Sequence, residues 1–209
     1  MFLHSESFQH GHNIPARYAF GKLGTDGPFA LGDNVSPSLA WGEEPVGSKS
    51  FAVVCIDNDV PSRGDDVNQS GRVVPADLPR VAFTHWLLVD LPANLHELAE
   101  GACGQGVVAR GKQHPPGPDG SRQGLNDFTA WFQGDAEMGG DYFGYDGPCP
   151  PWNDSIVHHY TFNLYALSEV RLDLPERFGL AEFRRACVGQ VLAEAMLTGT
   201  YSINPAVPT

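Results

Sequence analysis

Basic residues are scarce in this chain. Thirteen Lys and Arg stand against 25 Asp and Glu in 209 residues, a formal net charge of −12 at pH 7. A nucleic-acid backbone is held by clustered Lys and Arg, and no such cluster occurs, so nucleic acid is not an expected partner. An anionic membrane surface would repel the chain for the same reason, and stable membrane attachment is not expected. Long apolar runs are missing too, and none approaches the roughly 20 residues that span a bilayer. The first residues, Met1-Phe2-Leu3-His4-Ser5-Glu6, lack the basic and apolar regions of a secretory signal, so the expected location is cytoplasmic. Cysteine is sparse: positions 55, 103, 149 and 187 form no C-x-x-C pair, and free thiols are expected rather than a disulfide framework.

What is present is a globular composition, 42% hydrophobic and 18% charged, with 24 Gly and 17 Pro falling mostly between the apolar runs. That distribution favours short strands and long loops over a helical bundle, in one domain spanning 1–209. Three strands are expected. Ser50 to Ile56 is a continuous β-branched and aromatic run ending at Asp57, and Phe83 to Asp90 is a second run, stopped by Leu91-Pro92. His159 to Leu167 alternates Tyr160, Phe162 and Leu164 against Thr161, Asn163 and Tyr165, the period of a half-buried strand. Strands this short between Gly/Pro loops read as an antiparallel sandwich. Two helices are expected: about two turns over Ala93–Glu100, closed by Gly101, and a longer one over Leu180–Leu197 with Phe183, Cys187 and Val191 on one face. Ser62–Pro79 and Gly104–Asp141 read as loops, the second carrying Phe128, Trp131 and Phe132 and therefore packed rather than disordered.

Two motifs fail on inspection. His96-Glu97-Leu98-Ala99-Glu100 has Glu where a zincin helix needs its second histidine. Gly104-x-Gly106-x-x-Ala109 follows no strand, and Gly111 and Pro115 forbid the helix a dinucleotide site requires.

One constellation holds. Asp57 ends the first strand, His85 lies early in the second, and His158 opens the third behind Pro148-Cys149-Pro150-Pro151. Polar groups at adjacent strand ends can converge on one pocket, with prolines as rigid apolar walls. Singly, Asp57 reads as a turn cap and His85 as a core histidine. Together they match a pattern. Asp57-Asn58-Asp59-Val60-Pro61 resembles D-P-D-A-P, Thr84-His85-Trp86 an H-W strand, and Gly147-Pro148-Cys149-Pro150-Pro151 with His158-His159-Tyr160 a G-P-x-P-P and H-R-Y pair. Ile14-Pro15 with Tyr18, Asn34-Val35-Ser36-Pro37-Ser38-Leu39-Ala40-Trp41 and Leu197-Thr198-Gly199-Thr200-Tyr201 extend the match along most of the chain. In these motifs the chain resembles the phosphatidylethanolamine-binding (Raf kinase inhibitor-like) family, in its bacterial and archaeal branch.

The resemblance implies a mainly β, antiparallel β-sandwich with a C-terminal α-helix and long loops. It implies a ligand-binding protein for a small anionic or phosphorylated group, lined by Asp57, Pro61, His85, Pro150, His158 and Tyr160. It implies no cofactor and no enzymatic activity, leaves a homodimer open, and includes relatives that inhibit a kinase or protease. His159, in place of the family's Arg, is expected to face the opposite side of its strand. The departures are Asn58 and Val60 in the turn after Asp57, Gln190 where family helices often carry His, and longer 62–79 and 130–141 segments that are candidates to roof the pocket. The rival reading is a metal-dependent enzyme using Asp57, His85 and His158 as two histidines and a carboxylate.

Overall fold

A computed structural model describes residues 1–207. In chain order the strands are β1 (Phe2–His4), β2 (Gly21–Lys22), β3 (Ala30–Leu31), β4 (Leu39–Gly42), β5 (Ser50–Pro61), β6 (Arg80–Pro92), β7 (Glu97–Leu98), β8 (Arg122–Gln123), β9 (His158–Leu167) and β10 (Val191–Tyr201). The helices are α1 (Phe128–Trp131), between β8 and β9, and α2 (Leu180–Ala186), between β9 and β10. The central sheet has the order β10-β9-β5-β6-β8, a smaller one is β1-β4-β7, and β2 pairs with β3. All named pairings are antiparallel.

The continuous apolar run of β5 has a physical cause. Phe51, Val53 and Cys55 join Trp86, Leu88, Phe162 and Leu164 in the core shared with Leu39 and Trp41 of β4. Ala52, Val54 and Ile56 face the other way, with Leu87 and Val89, against Phe178, Phe183 and Cys187. A central strand covered on both faces has no side left for polar residues. β9 keeps its expected alternation, with Tyr160, Phe162, Leu164 and Ala166 all in the first core.

The helix expected over Leu180–Leu197 is a correction. α2 ends at Ala186, the chain turns through Gly189 at φ +74°, and Val191–Tyr201 is a strand. The residues are helix formers, but β9 offers an open edge of backbone groups, and β10 pairs along it from Val191↔Leu167 to Tyr201↔His158. Ala193, Ala195 and Leu197 then pack on the first core while Leu192, Glu194 and Met196 stay exposed. Tertiary pairing overrides helix propensity here. The short helix over Ala93–Glu100 is also corrected. After a turn closed by Leu95 N–H donating to the Pro92 carbonyl, Glu97–Leu98 pairs with β4 and buries Leu98. The 62–79 segment is irregular, and 104–141 is irregular apart from β8 and α1. Among the described residues no helix is long and apolar enough to cross a membrane.

β10 also clamps the N-terminal segment, through the Ile14 N–H donating to the Thr200 carbonyl at 2.8 Å. A Cβ on Gly199 would lie 2.5 Å from Ile14 Cγ1 and 2.9 Å from Phe8 Cε2, both in buried side chains. Gly199→Ala is therefore expected to destabilise the fold by about 1–3 kcal/mol, the usual cost of overpacking. Urea denaturation measures it, and an unchanged midpoint would show that Ile14 yields freely.

Candidate functional site

Three strands bring polar residues to one side of the central sheet: Asp57 lies within β5, His85 within β6, and His158 opens β9. Asp57 pairs with Phe83 on β6 and with Tyr160 on β9, so it sits between the two strands that carry the histidines. On β6, Trp86 pairs with Cys55 and Thr84 with Ile56, which leaves His85 as an extra, bulged residue. A bulge re-aims the side chain it carries. The His85 ring packs against Phe83, Phe128 and Tyr160, with centroids at 4.9, 5.5 and 5.1 Å.

His85 and His158 have opposite electrostatic settings. His158 is fully buried, with Nδ1 2.7 Å from Asp57 Oδ2 and Nε2 3.1 Å from Asp154 Oδ2. Burial opposes its charge, but the two carboxylates outweigh burial and raise its pKa to about 9. It is thus an imidazolium at neutral pH, donating from both nitrogens. Asp154 is held in turn by a two-pronged Arg80, at 2.6 and 3.0 Å. Burial works against the Asp154 carboxylate, yet His158 and Arg80 keep its pKa below the usual range. Asp57 Oδ1 accepts the Asp59 N–H at 2.7 Å.

His85 lies 2.7 Å through Nδ1 from the Asp146 carbonyl, which fixes the proton on that nitrogen and leaves Nε2 without a protein partner among the described residues. Burial lowers the pKa of His85, against the upward pull of Asp57, the Asp146 carbonyl and Asp127. His85 is therefore neutral at pH 7, with an acceptor nitrogen facing outward from its anchor. Behind it, Asp146 Oδ1 accepts from Lys112 Nζ at 2.6 Å and Asn34 Nδ2 at 2.7 Å, and Oδ2 accepts from Asn126 Nδ2 at 2.8 Å.

In front of these groups lies a cavity of about 520 Å³. Asp57, Pro61, His85, Pro150 and His158 all line it. Tyr160, expected among them, does not. It is buried beneath the two histidines, and among the described residues its hydroxyl has no hydrogen-bond partner; burial, with Asp57 nearby, pushes its pKa well up. His159 is exposed on the other face, paired with Asp59 at 2.9 Å. The walls are aromatic: Phe20 stacks on Phe128 at 4.4 Å, Phe132 stacks beyond it at 5.7 Å, and Trp131 is half-exposed at the rim. Both long segments contribute, Arg63 and Val67 from one and Trp131, Phe132 and Met138 from the other.

One expectation about chemistry needs correction, and one lining residue plays a narrower part than its place there implies. His158 does not offer a free nitrogen to a ligand, because carboxylates occupy both. For the same reason Asp57, His85 and His158 do not form an open two-histidine, one-carboxylate face. Among the described residues no group of three or more His, Cys, Asp or Glu is placed to hold a metal ion. Gln190, which stands where family helices often carry His, lies in the turn after α2 and accepts the Ser168 hydroxyl at 2.6 Å.

A mainly β sandwich with a ligand-sized cavity against its central sheet defines the class. Residues 4–202 match the phosphatidylethanolamine-binding protein family, and the chain belongs to it. It is a ligand-binding protein of that fold. The chain is 32% identical over 202 residues to UPF0098 protein YbhB of Escherichia coli K12, covering 97% of this chain and all of that one. It is 33% identical over 201 residues to a UPF0098 protein of Methanothermobacter thermautotrophicus, covering 96% and 98%. The crystal structure of E. coli YbcL, described as a new member of the mammalian PEBP family, superposes with a TM-score of 0.67 at 27% identity, covering 96% and 97%. A Chlamydia trachomatis PEBP homologue gives 0.62, also at 27% identity.

Proposed function

We propose that the cavity binds a small anionic or phosphorylated ligand with an apolar body, and that the protein is a binder rather than a catalyst. The observation that carries this reading is the pairing of His85, with its free Nε2, and an aromatic-walled space of about 520 Å³. A space of that size suits a drug-sized molecule rather than a bare ion. Cys149 also lines the cavity, but burial pushes its thiol up to about 12, so it is no thiolate nucleophile at neutral pH. The regulatory, inhibitor-like role of some relatives would act through occupancy of this same cavity.

Neutral His85 can receive an anion in two ways. A phosphoryl oxygen that carries a proton donates it to Nε2, or the histidine takes up a proton as the anion arrives. Either way the complex holds a proton that the separated partners lose as pH rises, so binding tightens on going from pH 8 to pH 6. His158 stays charged across that interval and contributes nothing to the slope. The test is calorimetric titration with phenyl phosphate at both pH values. A phenyl sulfate control, with no titratable proton in this range, isolates the share of His85. His85→Ala is expected to weaken binding at least about tenfold and flatten the pH dependence, since a hydrogen bond to a charged group contributes roughly 1.5–3 kcal/mol. His159→Ala is expected to bind as the wild type does. Equal sensitivity of the two positions would sink the assignment.

A further inference from the structure

Among the described residues, three side chains that can carry positive charge line the cavity: His85, His158 and Arg63. Neither histidine has a charged donor to spare. Both nitrogens of His158 point at carboxylates, and the hydrogen on His85 is committed to the Asp146 carbonyl. Asp57, meanwhile, adds negative charge at the same end. Unless His85 takes up a proton, an anion held there needs a donor from elsewhere.

Arg63 is the second residue of the 62–79 segment, two residues after the end of the strand that delivers Asp57 and Pro61. It makes no hydrogen bond among the described residues. Its nearest acid is Asp65, at 3.6 Å from Nε, and both side chains are about 70% exposed (69% and 72%). At that length and exposure the pair is weak and easily given up. The remainder of the segment is fixed. Asn153 accepts the Asn68 N–H at 2.9 Å and donates to the carbonyls of Asp66 and Arg72 at 2.8 and 3.1 Å, while Asn68 Oδ1 accepts the Trp152 N–H at 3.0 Å. Arg72, the other arginine there, is tied to Asp66 at 2.7 Å and does not line the cavity. The segment is thus a stapled loop that leaves one uncommitted guanidinium at the mouth.

We propose that Arg63 is the residue that selects for charge in the ligand, leaving Asp65 to pair with a phosphoryl or carboxylate group held against His85. This rests on the anion reading above. The guanidinium fork matches either group with two parallel hydrogen bonds. Because the chain carries −12 overall, this local cation replaces the bulk field that a basic protein would supply.

The test is titration of phenyl phosphate, and of inorganic phosphate beside it, into the wild type, Arg63→Gln, Asp65→Asn and Arg185→Gln. Arg185 sits on α2, paired with Glu182, and controls for the loss of one positive charge. Arg63→Gln is expected to weaken phenyl phosphate at least about tenfold and to reduce the salt dependence of binding. Asp65→Asn is expected to tighten it two- to threefold, and Arg185→Gln to leave it unchanged. All three sites are exposed, so folding is not at stake. If the wild type binds and Arg63→Gln binds equally well, the role of Arg63 is overturned while the anion reading stands. If the wild type binds neither probe, the anion reading falls and this inference with it.

Discussion

Lys112→Met is expected to lower the unfolding free energy by about 3–5 kcal/mol, the usual cost of breaking a buried ion pair from one side. Lys112 and Asp146 are 8% and 1% exposed, and the ammonium donates both to Asp146 Oδ1 at 2.6 Å and to the Tyr145 carbonyl at 2.9 Å. Removing it leaves a buried carboxylate supported by the amides of Asn34 and Asn126. The effect reaches the cavity because the backbone carbonyl of Asp146 anchors His85. Chemical denaturation measures the loss, and titration of phenyl phosphate into the surviving folded protein measures the displacement of His85. In a double-mutant cycle with Asp146→Asn the two changes are expected to be strongly non-additive, since they share one contact. A loss below about 1 kcal/mol, with additive energies, would mean that the pair is solvated and not a structural brace.

That brace was not legible in the sequence, and the reason is physical. Lys112, Asn126 and Asp146 lie in irregular segments, which carry no period from which to infer what faces what. Asp154 left one faint signal, its place four residues before His158, but a turn rather than a helix joins the two. Asp57, His85 and His158 were readable because each lies on a strand whose apolar pattern is plain. The same contrast holds for the fold. β5, β6 and β9 announce themselves through burial on both faces or clean alternation. β10 does not, because Val191, Leu192, Ala195 and Met196 serve a helix as well as a strand, and only the open edge of β9 decides between them. Strands of two to four residues, such as β1, β4 and β7, are too short for any periodicity to show.

The second large effect is a loss of stability on the alkaline side of pH 6.5. The groups facing the His158 ring are Asp57 and Asp154, with Arg80 behind Asp154 and the Tyr160 ring stacked below at 6.5 Å. In the unfolded chain His158 titrates near 6.5, and in the folded protein near 9. A folded pKa above the unfolded one gives stability that is complete below pH 6.5 and disappears as pH rises through 9. For this displacement the amount is about 3 kcal/mol. His85 acts in the opposite sense: its pKa is lowered by burial, so its contribution is present above 6.5 and declines on acidification. Stability is therefore expected to peak near pH 6.5. Buried thiols such as Cys103 and Cys149, pushed up to about 12, add their own alkaline loss, but only once unfolded thiols ionise above roughly pH 8.5. The interval from 6.5 to 8.5 thus isolates His158. Denaturation curves across it are expected to fall steadily in the wild type and to be lower and flat in His158→Gln. A flat wild-type profile would mean that folding takes up no proton at this cluster, and that His158 is neutral in the folded protein.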